Sequence, residues 1–231
     1  SNHVLKVNWN DLDELQALFE KHANEIACFI SSPYNHPVSK DNELPKEGYW
    51  EGVSKLCKKH DVLLIIDDVR AGFRINLSGS NVEYGFKPDL ICFGKAIANG
   101  HALSALVGTN ELKVVADKVY FSCTQFFCAP PMAGACATLK ELKKVDAANK
   151  MTEYGKKLNE SLVNVAEQSG FNLIASGIPA MPYYRLDGVD IKTHFKWIDE
   201  CVKRGVYMVG YHNHFVSTCH SDEDIESITC L

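Results

Sequence analysis

The chain has 231 residues, 46% hydrophobic and 23% charged, which is enough apolar material for one sizeable α/β core or two modest domains and excludes disorder, collagen and coiled coil. Its 24 Lys and Arg against 29 Asp and Glu leave a formal charge of −5, and without a basic run to track a phosphate backbone no nucleic-acid partner is expected. Nine cysteines, odd in number, scattered and lacking any Cys-x-x-Cys pair, point to thiols in a reducing compartment rather than a disulfide framework or a zinc finger. Residues 1–10 lack the basic and then apolar pattern of a signal peptide. No segment reaches the roughly 18 uninterrupted apolar residues of a membrane span, so the expectation is a cytoplasmic protein with no membrane partner.

In chain order, Leu12, Leu15, Leu18 and Phe19 recur at helical spacing behind Asn10 or Asp11, either of which suits the N-cap of an amphipathic helix. Residues 26–30 read as a buried strand ended by Ser31-Ser32-Pro33, followed by a loop that runs to Pro45. Residues 48–60 are helical again. Asp61-Val-Leu-Leu-Ile-Ile66 predicts a central parallel strand, because five consecutive branched aliphatics are too short for a helix and apolar on both faces. It ends in Asp67-Asp68. A loop over residues 79–85 leads to Leu90-Ile-Cys-Phe93, a second short strand that stops at Gly94-Lys95. Ala105-Leu-Val107 predicts a third strand, residues 111–117 a helical stretch, and residues 130–144 an Ala-rich helix with Pro near its start. Strands alternating with helices predict a mainly parallel sheet covered on both faces. From about Asp146 the pattern changes to a long polar helix over 147–168, then Ile174 and the stretch 181–186, a helix over 194–203 and strand-like Val206-Tyr-Met-Val209. The expected organisation is an α/β domain over 1–145 and a smaller α+β domain over 146–231.

Two parallel strands ending in Asp67 and Lys95 deliver a carboxylate and an amine to one edge of a sheet, where open α/β folds bind ligands. Each residue also has a plainer reading. A strand-end Asp can cap the next turn, and a lysine at a strand end can be an ordinary surface cation. Chemistry that needs both is specific: a sheltered lysine whose pKa is lowered by desolvation is a nucleophile toward an aldehyde, and forms a Schiff base. If that aldehyde is pyridoxal 5'-phosphate, an anionic aspartate beside the pyridine nitrogen keeps it protonated, so that the ring works as an electron sink.

Three separated stretches carry a family resemblance. Leu63-Leu-Ile-Ile-Asp-Asp-Val-Arg-Ala-Gly-Phe-Arg74, Lys87-Pro-Asp-Leu-Ile-Cys-Phe-Gly-Lys-Ala-Ile-Ala-Asn-Gly100 and Phe215-Val-Ser-Thr-Cys-His-Ser-Asp-Glu-Asp-Ile225 resemble, in order, the corresponding motifs of class III aminotransferases of pyridoxal-phosphate fold type I. Within that class the chain is most similar to glutamate-1-semialdehyde aminomutases and their relatives. The resemblance implies a fold-type-I large-domain portion with a small C-terminal domain, a pyridoxal 5'-phosphate cofactor, small-molecule amino and keto substrates and a homodimer. It assigns Lys95 as the Schiff-base lysine and proton shuttle, Asp67 as the partner of the pyridine nitrogen and Val69 as the apolar residue on the ring face. Thr124, in Ser122-Cys-Thr-Gln125, is assigned to the neighbouring subunit's cofactor phosphate. The chain also departs from the family. Ser32 precedes Pro33 where many relatives carry an acid that gates the substrate site, and Asp68 stands where glutamate is usual. Family members extend further on the N-terminal side, where their phosphate loop, stacking aromatic and most substrate-carboxylate contacts lie.

Other residues were weighed. His212 and His214 could offer two metal ligands without a clear third or fourth, so no metal is expected, and His220 fits the family pattern. Cys28 and Cys92, inside strand-like runs, read as core thiols. Arg70 and Arg74 fit an anion, a dimer contact or solvated surface equally. Two function classes remain open: amino-group transfer with Lys95 bonded to cofactor, and a non-catalytic protein that keeps the fold for assembly.

Overall fold

The computed structural model describes residues 3–122, 124 and 126–230. The chain divides into two compact units, one of Ser1–Pro33 with Pro45–Glu141 and one of Tyr34–Leu44 with Leu142–Leu231. Among the described residues no helix is long and apolar enough to cross a membrane.

In the first unit, helix α1 (Leu12–Lys21) starts where Asp11 accepts the Glu14 amide at 2.8 Å, and Asp13 and Glu14 at its start complement the helix dipole. Helix α2 (Tyr49–Lys59) follows Gly48, whose φ of 75° favours glycine. The sheet has the order β1 (Cys28–Ser31), β2 (Leu63–Asp67), β3 (Leu90–Phe93) and β4 (Ala105–Gly108). The first three strands are parallel and β4 runs antiparallel to β3. Leu64 and Ile66 of β2 meet Leu15 and Phe19 of α1 and Trp50 and Val53 of α2 in one buried cluster. Trp50 stacks on Phe86 with centroids 4.3 Å apart, and its indole N–H donates to the Pro33 carbonyl at 2.9 Å. The unit also holds two short helices, α3 (Ser80–Glu83) and α4 (Asn110–Ala116), and all but the last turn of the 16-residue α5 (Ala129–Lys144).

Four expectations for this unit need correction. Within the unit the sheet buries one face, not two: Leu64 and Ile66 are buried, whereas Leu63 and Ile65 on the other face are half-buried. β1 is an edge strand rather than a buried one, with Ile30 58% exposed. Cys28 shares that open face and is exposed rather than core, and Cys92 is half-buried. The stretch over residues 79–85 is not loop throughout, since it holds α3.

In the second unit, helix α6 (Ala147–Gln168) packs on an antiparallel pair, β5 (Asn172–Ser176) and β6 (Tyr183–Asp187). Helix α7 (Ile191–Lys203) is capped by Asp190, which accepts the Thr193 amide at 2.8 Å, and α8 (Asp222–Thr229) by a Ser221/Asp224 capping box. Leu173, Tyr184, Leu186, Ile198 and Met208 form the core, with Trp197 packed against it. Gly155 of α6 lies so close to the Pro179 carbonyl that no β-carbon fits between them. The segment Tyr34–Leu44 is tied in by Arg185, whose guanidinium grips Asp41 at 2.8 and 2.9 Å, and by the Asn42 amide, which donates to Ser176 Oγ at 2.9 Å. Residues 206–209 form no strand. The Val206 amide donates to the Cys201 carbonyl and the Val209 amide to His214 Nε2, which removes the donors a ladder would use.

Candidate active site

The parallel register pairs Asp67 with Cys92 at the last step of β2 and β3, so both strands leave the sheet at one edge. Asp67 is exposed there, and its Oδ1 accepts the Val69 amide at 3.2 Å, which turns the chain out of the strand. The turn-capping role is therefore real. It uses one oxygen, and among the described residues the other has no hydrogen-bond partner. On the neighbouring strand, Phe93 is 8% exposed and Gly94 is extended. Lys95 then takes a φ of 44°, in the left-handed region, and opens a single 3-10 turn, Lys95–Ala98. Ile97 and Ala98 are buried and anchor that turn, while Lys95 is exposed and, among the described residues, paired with no carboxylate.

Val69 joins the two ends. A β-carbon added to Gly94 would fall 3.2 Å from Val69 Cγ1 and 3.6 Å from Cγ2, so the valine lies directly over the backbone that leads into Lys95. Asp67, Val69 and Lys95 therefore share one rim. Thr124 lies in the connection between α4 and α5, exposed and hydrogen-bonded to none of the three. Its neighbours Cys123 and Gln125 lie outside the described residues.

Asp68 was noted in the sequence only as a replacement for glutamate, and its role was missed. The side chain is 1% exposed and points opposite to Asp67. Its Oδ1 accepts the Ser80 hydroxyl at 2.6 Å and its Oδ2 the Ser80 amide at 2.8 Å. Burial pushes the carboxyl up to about 6, aided by the Asp67 charge and opposed by the two Ser80 hydrogen bonds. Its backbone is held as well: the amide donates to the Cys92 carbonyl at 3.0 Å, and the carbonyl accepts Gly72 N–H at 2.8 Å. Strand alternation was the available signal, since it sends one of two consecutive aspartates toward the core.

The histidines are committed elsewhere. His214 Nε2 accepts the Val209 amide at 3.2 Å, His212 Nδ1 lies 2.8 Å from the Asn213 carbonyl, and His220 stacks on Tyr154. Burial lowers His214 to about 4. Among the described residues no group of three His, Cys, Asp or Glu could hold a metal. A cavity of about 480 Å³ lies within the second unit, lined by Leu162, Trp197 and Met208 among others, and contains none of the rim residues.

The sequence pattern of the family described as aminotransferase class-III matches residues 4–226. The chain belongs to the class III aminotransferases. It is 35% identical over 227 residues to a 3-aminobutyryl-CoA aminotransferase of Cloacimonas acidaminovorans, covering 96% of this chain and 55% of the relative. It is 30% identical over 243 residues to a glutamate-1-semialdehyde 2,1-aminomutase of Legionella pneumophila, covering 98% and 56%. Among solved structures, the internal aldimine form of the FumI protein of Sphingopyxis sp. MTA144, which holds pyridoxal phosphate, superposes with a TM-score of 0.95 at 32% identity, over 99% of this chain and 55% of that one. The chain thus spans about half the length of the curated relatives it matches. Its fold is the corresponding part of pyridoxal-phosphate fold type I, with a mainly parallel sheet.

Pyridoxal 5'-phosphate is the cofactor of this family, and the rim residues fit it. A carboxylate with one oxygen uncommitted among the described residues, a primary amine paired with no carboxylate among them and an apolar side chain on the same rim are the groups needed for a ring nitrogen, an aldehyde and a ring face.

Proposed function

We propose that this chain supplies the lysine and aspartate side of a pyridoxal-phosphate site in an enzyme that transfers amino groups between small amino and keto compounds. The observation that carries the proposal is the shared rim: Asp67 and Lys95 leave adjacent parallel strands at one edge, with Val69 packed against Gly94, the residue before Lys95. Bound pyridoxal phosphate supplies an electron sink for charge developing on a substrate carbon. Lys95 Nζ binds the aldehyde carbon and, once freed by substrate, moves a proton on and off the substrate carbon. Asp67 holds a proton on the ring nitrogen through its uncommitted oxygen, and Val69 orients the ring by covering one face. A cytoplasmic homodimer belongs to the same proposal, with Thr124 reaching the partner's phosphate. The exposed apolar run of Val114, Val115, Val119, Tyr120 and Phe121 supports a second copy at that surface.

The test is titration of the chain with pyridoxal phosphate, followed by borohydride and mass mapping. A visible absorption band, with a reduced adduct on Lys95 that is missing in Lys95→Ala, is the expected result. A colourless protein that still self-associates would replace this function with retention of the fold for assembly.

A further inference from the structure

The proposed site uses Asp67, Val69 and Lys95, but nothing in that reading accounts for the most buried carboxylate in the first unit. Asp68 has four ties, two through its side chain to Ser80 and two through its backbone to Cys92 and Gly72. The space around it is closed. A β-carbon on Gly72 would fall 2.6 Å from the Asp68 carbonyl and 2.9 Å from the Phe93 ring, and one on Gly79 would fall 3.7 Å from Asp68 Oδ2 and 3.5 Å from Phe93. The turn after β2, the start of α3 and the end of β3 therefore close on one another around this carboxylate. A surface acid that capped α3 alone would need none of the backbone ties, and α3 is only four residues long.

We propose that Asp68 is a positioning residue: clamped to Ser80, it fixes the turn from Asp67 to Gly72, so that Asp67 keeps its carboxylate on the Val69 amide and Val69 stays seated against Gly94, beside Lys95. This deepens the proposed function, because the clamp holds the rim on which the cofactor would rest. Its consequences appear in the free chain as well. Val69 N–H is the donor that reports on the turn, and its exchange with solvent measures how often the turn opens.

The experiment compares the intact chain with Asp68→Asn, Asp68→Ala and Ser80→Ala by amide exchange, using NMR. Asp68→Asn can still accept the Ser80 amide and donate to its hydroxyl. Exchange at Val69 is expected to stay near the parent rate in Asp68→Asn and to rise about tenfold or more in Asp68→Ala and Ser80→Ala, while the Leu64 and Ile66 amides are unchanged. Capture of pyridoxal phosphate on Lys95, trapped by borohydride, should slow in parallel. If Asp68→Ala does not fold, Ser80→Ala carries the comparison, since it deletes a single hydroxyl. Unchanged Val69 exchange in a folded Asp68→Ala or Ser80→Ala variant would overturn the proposal, as would an equal acceleration along all of β2, which indicates general support rather than positioning. Absence of cofactor capture in the parent chain would refute the proposed function alone, because the exchange readout does not depend on it.

Discussion

Asp68 and Ser80 form a buried pair in which one carboxylate receives both the amide and the hydroxyl of one serine, at 2.8 and 2.6 Å. Because burial raises the carboxyl from 3.8 to about 6, the folded chain holds this proton more tightly than the unfolded one. The contribution to stability is complete below the unfolded value and is lost as pH rises through about 6. Urea unfolding across that window should show the parent chain losing up to about 3 kcal/mol relative to Asp68→Asn, which has no proton to release there. A difference between the two proteins that does not vary with pH would contradict the assignment.

Lys95 sits at φ 44°, a conformation that costs a side chain with a β-carbon about 1 kcal/mol and costs glycine nothing. Lys95→Gly is therefore expected to be more stable than Lys95→Ala by about 1 kcal/mol, the reverse of the usual order in a helical turn. Paired denaturation curves measure this directly, and equal stabilities would show that the backbone relaxes out of the left-handed region.

Gly155 approaches the Pro179 carbonyl without room for a methyl group. Gly155→Ala should destabilise the second unit by roughly 2–3 kcal/mol, because the new carbon meets backbone rather than a side chain that can swing away. Loss of cooperative unfolding at lower urea, seen for the second unit and not the first, is the expected outcome.

Arg185 bonds Asp41 through two nitrogens and Asp187 through a third, and the same contacts hold the Asp187 carboxyl below its ordinary value. Arg185→Met should loosen the segment Tyr34–Leu44, so that trypsin cleaves after Lys40 faster than in the parent chain. The Asn42 bond to Ser176 remains, so the gain should be moderate. An unchanged cleavage rate would place the hold on this segment elsewhere.

Features that depend on runs and caps were legible in the sequence. Four of the five aliphatics before Asp67, Leu63 to Ile66, lie in the central strand β2, and the long polar helix occupies Ala147–Gln168 as expected. Asp11 proved to be the cap of α1. Features set by distant partners were not. The apolar residues on both faces of β2 hide the fact that only Leu64 and Ile66 are covered. Helix α3 begins at a serine whose anchor is Asp68, a dozen positions earlier, and no local propensity signals it. The strand-like composition of residues 206–209 lost out to a histidine and a helix end that took its amide donors. At the candidate site, spacing alone brought Asp67 and Lys95 to one edge, whereas the seat of Val69 on Gly94 needed coordinates, and the parts assigned to each residue rest on family resemblance.

The tryptophans are divided between the units: Trp9 and Trp50 in the first, the latter stacked on Phe86, and Trp197 in the second. Trp197→Phe would leave emission from the first unit alone, and a Trp9→Phe, Trp50→Phe double variant would leave emission from the second. Fluorescence could then time the melting of each half without labels, and show whether a cofactor stiffens only the half that touches it.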